Sequence, residues 1–310
     1  MTIQSAQTTA KATTAKATTA TLAAATTASL DDLTPANLEC IRRLQAAQPP
    51  PSFDHVPHRS QAAVAVILFQ GTDAQLHAIM TTRAQHLRSH PGQASLPGGK
   101  MDSTDSDVAW TALRESCEEV GLDPKSVSYI HTFAPFLSKT ALLVHPVVFY
   151  LRGGEAALKH LVASPSEVDL IWSTPLEQFL SSTAPKHLEA HLAHPSSVDK
   201  HRPPQTAFRT YTDVPWISGS YRMHRFRSQH QLIKGLTADV LIHTATCAYG
   251  RRPAYPVCAP DQLSWSDMVD RVLQRQHKGQ RGERRWGDGE SGDAYGSSEA
   301  YATNIGVDDE

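Results

Sequence analysis

Residues Leu96–Leu122 read LPGGKMDSTDSDVAWTALRESCEEVGL, and both fold and chemistry turn on them. The pattern predicts a helix from Asp105 to Val120: Asp105 or Ser106 can cap its start, and Gly121 supplies a permissive stop. On that helix Glu115, Glu118 and Glu119 stand at i, i+3 and i+4, so three carboxylates leave one face within about one turn. Ala109, Ala112, Leu113, Ser116 and Val120 fall on the opposite face, small and apolar enough to pack on a sheet. Three like charges so close repel one another. They form either a solvated acidic face, with Arg114 and Glu118 as an ordinary i,i+4 pair, or a site for a hard cation. Magnesium prefers carboxylate oxygens and keeps coordination positions for phosphate. The Pro97-Gly98-Gly99 turn favours the cation site, because paired glycines let backbone N–H groups approach an anion and let a loop fold back over the helix start.

Charge is arranged by segment. Ala74–Met101 contains three cations, Arg83, Arg88 and Lys100, and no acid, whereas Asp102–Asp123 carries seven acids and one arginine, a net of −6. Arg83 and Arg88 either pair with surface acids or meet a phosphate, for which the planar guanidinium is well shaped.

Both segments together resemble the Nudix hydrolase family, whose signature is G-x5-E-x7-R-E-U-x-E-E-x-G-U with U aliphatic. Arg114, Glu115, Glu118, Glu119, Gly121 and Leu122 match its right half, with Ser116 at an aliphatic position. From Gly99, five residues lead to Asp105 in place of Glu, and eight rather than seven separate Asp105 from Arg114. This spacing with Asp is similar to that of the coenzyme A diphosphatase branch. A second signature of that branch, roughly L-L-T-x-R-S-x-x-L-R-x-H-x-G-Q-x-x-F-P-G-G, is matched upstream by Thr81, Arg83, Leu87, Arg88, His90, Gly92, Gln93 and Pro97-Gly98-Gly99, while Ala84 and Leu96 depart from it. Weaker likeness continues through Leu142–Tyr150, Ser166-Glu167-Val168 and Gly235-Leu236-Thr237-Ala238.

The resemblance implies an α/β fold, a Nudix-like α/β/α sandwich with a mixed β-sheet between helices. It implies a hydrolase of diphosphate bonds in coenzyme A or its acyl or oxidised derivatives, with Mg2+ or Mn2+ as cofactor. Glu115, Glu118 and Glu119 would be the metal ligands, Glu115 also the general base, and Arg114 their positioning partner. Arg83, Arg88, His90, Gln93, Gly98 and Gly99 would bind the small-molecule substrate. A pyrophosphatase of oxidised or other nucleotide derivatives and an inactive Nudix-fold binding module are the alternatives.

Outside this region the 310-residue chain is read by composition. Residues 1–56 form a Thr/Ala-rich tail, expected to be disordered, with a short helix within Ser29–Ala47. Seven of the 17 glycines lie in His277–Glu310, so 276–310 reads as a second disordered tail. Between them, 57–275 is one catalytic domain, with the Ser-, Pro- and His-rich 181–219 as a loop insertion. Strands are expected at Ala62–Gln70, Leu76–Thr82, Val127–Phe133, Ala141–Leu151 and Leu170–Trp172. Further helices are expected at Leu176–Ser181, Leu232–Ala248 and Trp265–Gln276. These alternate without a strict β-α-β period, which points to a mixed sheet rather than a doubly wound parallel one.

A net charge of −2 argues against a nucleic-acid coat or a polybasic membrane protein, and the patch Arg281–Arg285 is too small to change that. No apolar run reaches the roughly 20 residues of a bilayer span. Cys40, Cys117, Cys247 and Cys258 lack metal or disulfide spacing, which fits a reducing compartment. The pairs His86/His90 and His187/His191 have ligand spacing but read as surface and loop histidines. Compartment stays open among mitochondrion, peroxisome and cytoplasm, since the chain ends Val-Asp-Asp-Glu, without Ser-Lys-Leu, and residues 1–30 only weakly resemble a transit peptide. Oligomeric state is not read from the sequence.

Overall fold

A computed structural model describes residues 30, 32–189, 192, 207–217, 219–280 and 305–306. Most of both expected tails therefore lies outside the described residues.

Strand β1, Gln61–Gln70, is the centre of the molecule. Its run of Ala, Val, Ile, Leu and Phe is buried on both faces, as a strand covered from two sides must be. Ala63, Ala65, Ile67 and Phe69 face one core, and Val66 and Leu68 face another. Helix α1, Pro35–Gln45, places Cys40, Ile41 and Leu44 in the second of these.

Strand β2, Leu76–Arg83, folds back antiparallel to β1, but the two pair only through Leu68↔Ala78, Phe69↔His77 and Gln70↔Leu76. Beyond that point they part, and two short strands fill the gap. β3, Ala94–Ser95, pairs with β2, and β4, Gly98–Lys100, pairs with the first residues of β1. The segment that decides the fold is thus built into the sheet.

Helix α2, Val108–Val120, crosses the sheet on the Ala63/Ile67 side. Asp107 caps it, accepting from the Trp110 N–H at 2.7 Å, in place of the expected Asp105 or Ser106. Asp105 is engaged elsewhere. Gly121 ends the helix in the left-handed conformation at φ 64°. The face of Ala109, Ala112, Leu113, Ser116 and Val120 is buried against the sheet.

β5, Val127–Thr132, and the two-residue β6, Phe136–Leu137, both pair antiparallel with β7, Leu143–Leu151, which runs parallel to β1 from Gln61↔Leu143 to Leu68↔Tyr150. A short helix α3, Gly154–Leu158, leads to β8, Val168–Pro175, on the outer edge of β2. This sheet has eight strands, mixed in direction.

The expected helix at Leu176–Ser181 is a 3-10 turn over Leu176–Leu180. Of the expected loop 181–219, Arg209–Trp216 is strand β9, pairing antiparallel with β10, Gly219–Phe226, in a second sheet with β11, Ile233–Lys234, and β12, Ile305–Gly306. Its alternating RTYTDVPW was hidden by the Ser/Pro/His-rich residues before it. Helix α4, Leu236–Tyr249, begins after Gly235 (φ 57°), so the expected start at Leu232 is corrected: Ile233 and Lys234 are strand. Helix α5 runs from Trp265 to Gln280, past the expected end at Gln276.

Helices α1 and α4 cover one face of the main sheet and α2 the other, an α/β/α sandwich with a mixed sheet, as expected. No described helix is long and apolar enough to cross a membrane.

Candidate active site

Arg114 is the hub on the exposed side of α2. Its Nε and one terminal nitrogen donate to the two oxygens of Asp105, each at 2.9 Å. The other terminal nitrogen donates to Glu115 at 3.0 Å and to Glu118 at 3.2 Å, and a further bond reaches the Lys100 carbonyl of β4 at 3.2 Å. One guanidinium therefore fixes two of the three glutamates and ties α2 to the inserted strand, as its planar fork of donors permits. Asp105 also accepts from the Asp102 N–H and the Thr111 hydroxyl, both at 2.9 Å. Burial pushes its pKa up, but these bonds and the nearby positive charge outweigh it and hold the carboxyl below its ordinary value.

Glu115 lies against Gly99. A Cβ on residue 99 would sit 2.4 to 2.7 Å from the atoms of the Glu115 carboxylate, so only glycine leaves that carboxylate its place. Gly98 is constrained from the other side: at φ 156° its missing Cβ would fall 2.3 Å from the Ala63 carbonyl oxygen. The paired glycines thus let strand, turn and carboxylate approach more closely than side chains allow.

Glu119 is buried at 4% exposure. Burial, then the charges of Glu115 and Glu167, push its pKa up to about 8, against the pull of Arg83 and of a bond from the Gly98 N–H. Glu115 is raised as well, by burial first, with Arg114 opposing and Glu118 and Glu167 adding to it. Glu118 is exposed, its side chain 54% accessible. Glu167 is a fourth carboxylate within electrostatic reach, and the sequence reading gave it no role. Its only signal was the Ser166-Glu167-Val168 likeness, because its distance from α2 is set by folding. The main chain holds it there: Ala84 N–H donates to the Glu167 carbonyl and Ser164 N–H to the Glu119 carbonyl, both at 2.9 Å.

The donor set has the chemistry of a hard-cation site: oxygen ligands only, with Glu119 buried, Glu115 half-buried, and both carboxyls raised by burial and by neighbouring negative charge, the strain a divalent ion relieves. Among the described residues no three such groups converge on one point, and Arg114 bridges Glu115 and Glu118. Glu118 would have to turn from Arg114 to join Glu115 and Glu119.

Beside these carboxylates Arg83 ends β2. The chain then turns through Gly92 (φ 67°) and His90 (φ 54°), with the Arg83 N–H donating to the Gln93 carbonyl at 3.0 Å. Arg83, His90 and Gln93 line a cavity of about 480 Å³ together with Trp216, Tyr221 and Trp265. Gly98 and Gly99 line an adjoining hollow of about 190 Å³ that shares Ser95, Leu236 and Thr237 with it. Arg88 is exposed and lines neither. His86 meets the Ser166 carbonyl at 3.1 Å, apart from His90, while His191 lies outside the described residues.

A family model for the NUDIX domain matches residues 59–193. Nudix hydrolase 15, mitochondrial, of Arabidopsis thaliana is 35% identical over 63% of this chain, which spans 61% of that protein's length. NudL, a Nudix hydrolase of Klebsiella pneumoniae, is 34% identical over 69% of this chain and 94% of its own. The peroxisomal coenzyme A diphosphatase ndx-8 of Caenorhabditis elegans is 30% identical over 70% of this chain and 82% of its own. The likeness spans most of these two shorter relatives and takes in the glutamate helix, so this chain belongs to the Nudix hydrolase family.

Proposed function

We propose that the protein is a metal-dependent diphosphatase that hydrolyses the diphosphate bond of coenzyme A or an acyl or oxidised derivative, releasing adenosine 3′,5′-bisphosphate and the phosphopantetheine portion. The observation that carries this reading is the place of Arg83. It lines the larger cavity and lies close enough to Glu119 to lower its pKa, so one guanidinium faces both the substrate space and the carboxylates.

Glu115, Glu118 and Glu119 would hold magnesium or manganese, which when bound neutralises diphosphate oxygens and activates water. Arg83 holds a phosphate by charge-assisted bonds, and His90 and Gln93 extend that contact. Arg114 keeps Glu115 against Gly99, where its carboxylate accepts a proton from the attacking water. Asp105 positions Arg114. That the nematode relative is a coenzyme A diphosphatase supports the substrate class.

The test is hydrolysis by the full chain with magnesium or manganese of coenzyme A, dinucleotides and oxidised nucleoside triphosphates, with products identified by mass spectrometry. Preference for coenzyme A derivatives is expected; preference for either other class overturns the narrow reading. Glu115→Gln should lower kcat by about 100-fold or more, the usual worth of a general base. Glu118→Gln should also lose most activity, and a rate near wild type would remove Glu118 from the ligand set.

A further inference from the structure

The cavity wall contributed by β9, β10 and α5 is aromatic and lies outside both sequence signatures. Trp216 and Tyr221 approach across the β9–β10 turn with ring centroids 5.3 Å apart, and Trp265 at the start of α5 stands 6.0 Å from each. The interplanar angles of 58° and 67° make the rings an open trough rather than a closed stack. Tyr221 is anchored, its hydroxyl donating to the buried Asp239 of α4 at 2.5 Å. Lys139 and Lys234 line the same cavity, with Arg83.

These groups select among the parts of an anionic substrate. A flexible acyl or pantetheine arm is matched by aliphatic walls. Flat π-faces beside ammonium groups match a heteroaromatic base that carries a phosphate on its sugar. The larger cavity joins the hollow bordered by Gly99, against which Glu115 lies, so a nucleotide seated in the trough extends its 5′ side toward the carboxylates.

We infer that Trp216, Tyr221 and Trp265 form the binding trough for the base of the substrate's nucleotide half, with Lys139 and Lys234 receiving its ribose phosphate. This rests on the reading of coenzyme A as substrate, and it assigns the two ends of that molecule to opposite sides of the carboxylates.

Adenosine 3′,5′-bisphosphate, adenosine 5′-phosphate and 4′-phosphopantetheine are titrated separately into the full chain with chelator present, and Kd is read by tryptophan fluorescence and calorimetry. The bisphosphate should bind and quench. Trp216→Leu should weaken it by about tenfold or more, and Trp216→Phe, which keeps a ring, by much less. The Lys139→Ala/Lys234→Ala variant should abolish any preference for the bisphosphate over the 5′-phosphate. Trp216 is chosen because it is partly exposed on a hairpin, and matched circular dichroism spectra establish that the variants fold. Quenching by phosphopantetheine in place of the bisphosphate overturns the trough, as does a Trp216→Leu Kd within twofold of wild type. If the bisphosphate binds as expected but coenzyme A is not hydrolysed, the trough stands and the substrate reading falls. If coenzyme A is hydrolysed and Trp216→Leu binds unchanged, the reverse holds.

Discussion

The Asp105 carboxylate has no solvent exposure, yet its bonds to Arg114, Thr111 and the Asp102 N–H keep it ionised. Asp105→Ala leaves Arg114 without its bidentate partner, so urea unfolding should show a loss of about 2–3 kcal/mol, the scale of hydrogen bonds to a charged group. Activity should fall further than stability, because Glu115 and Glu118 lose their common anchor. The two glycines make a paired prediction. At Gly99 an added Cβ meets the end of a flexible side chain, so Gly99→Ala should displace Glu115 and cut kcat with little change in Tm. At Gly98 it meets backbone, so Gly98→Ala should lower Tm as well. Equal Tm losses in the two variants would contradict this account. That Glu115 shares a helix face with Glu118 and Glu119 was legible from their spacing, but its contact with Gly99, sixteen positions earlier, was not, because only the insertion of β4 beside β1 brings them together.

At the scale of the element, α2 could be read closely because its signals are local: a carboxylate cap, an apolar face of 3.6-residue period and a terminal glycine. The cap alone was misplaced, since Asp105 and Asp107 are alike as N-cap residues and only the fold commits the first to Arg114. β3, β4 and β6 were illegible because two or three residues show no period, and their partners lie far along the chain. Helix α4 carries a different risk. Burial pushes the pKa of Asp239 from 3.8 to about 7, with the Tyr221 hydroxyl opposing the rise. Its folded form therefore holds a proton that the unfolded chain has released, so the stabilising protonation is lost as pH climbs from about 4 through 7. Asp239→Asn should flatten the fall of Tm over that window and raise Tm at pH 8 relative to wild type; an unchanged slope would show that Asp239 is already ionised.

Taken whole, the molecule carries a net charge of −2, but its charge is sorted. Arg83, Lys139 and Lys234 line the cavity, and Glu115, Glu118 and Glu119 lie on the helix beyond Arg83. An anionic substrate is drawn to the first group and resisted by the second, so KM should rise as the Debye length shrinks from about 30 Å at 0.01 M salt to about 8 Å at 0.15 M. A KM independent of salt would mean that long-range attraction by the cavity cations does not outweigh repulsion by the carboxylates. The parting of β1 from β2 sets the tempo of the same region. From Pro97 to Met101 the backbone is bonded along the first half of β1, by Ala65 N–H to the Pro97 carbonyl at 2.8 Å and Met101 N–H to the Gln61 carbonyl at 3.0 Å, with β4 between. The glycine segment that borders the carboxylates is thus clamped as a rung of the central ladder, and the Gly99 amide proton should exchange with deuterium on the slow clock of β1, opening only when the sheet itself comes apart.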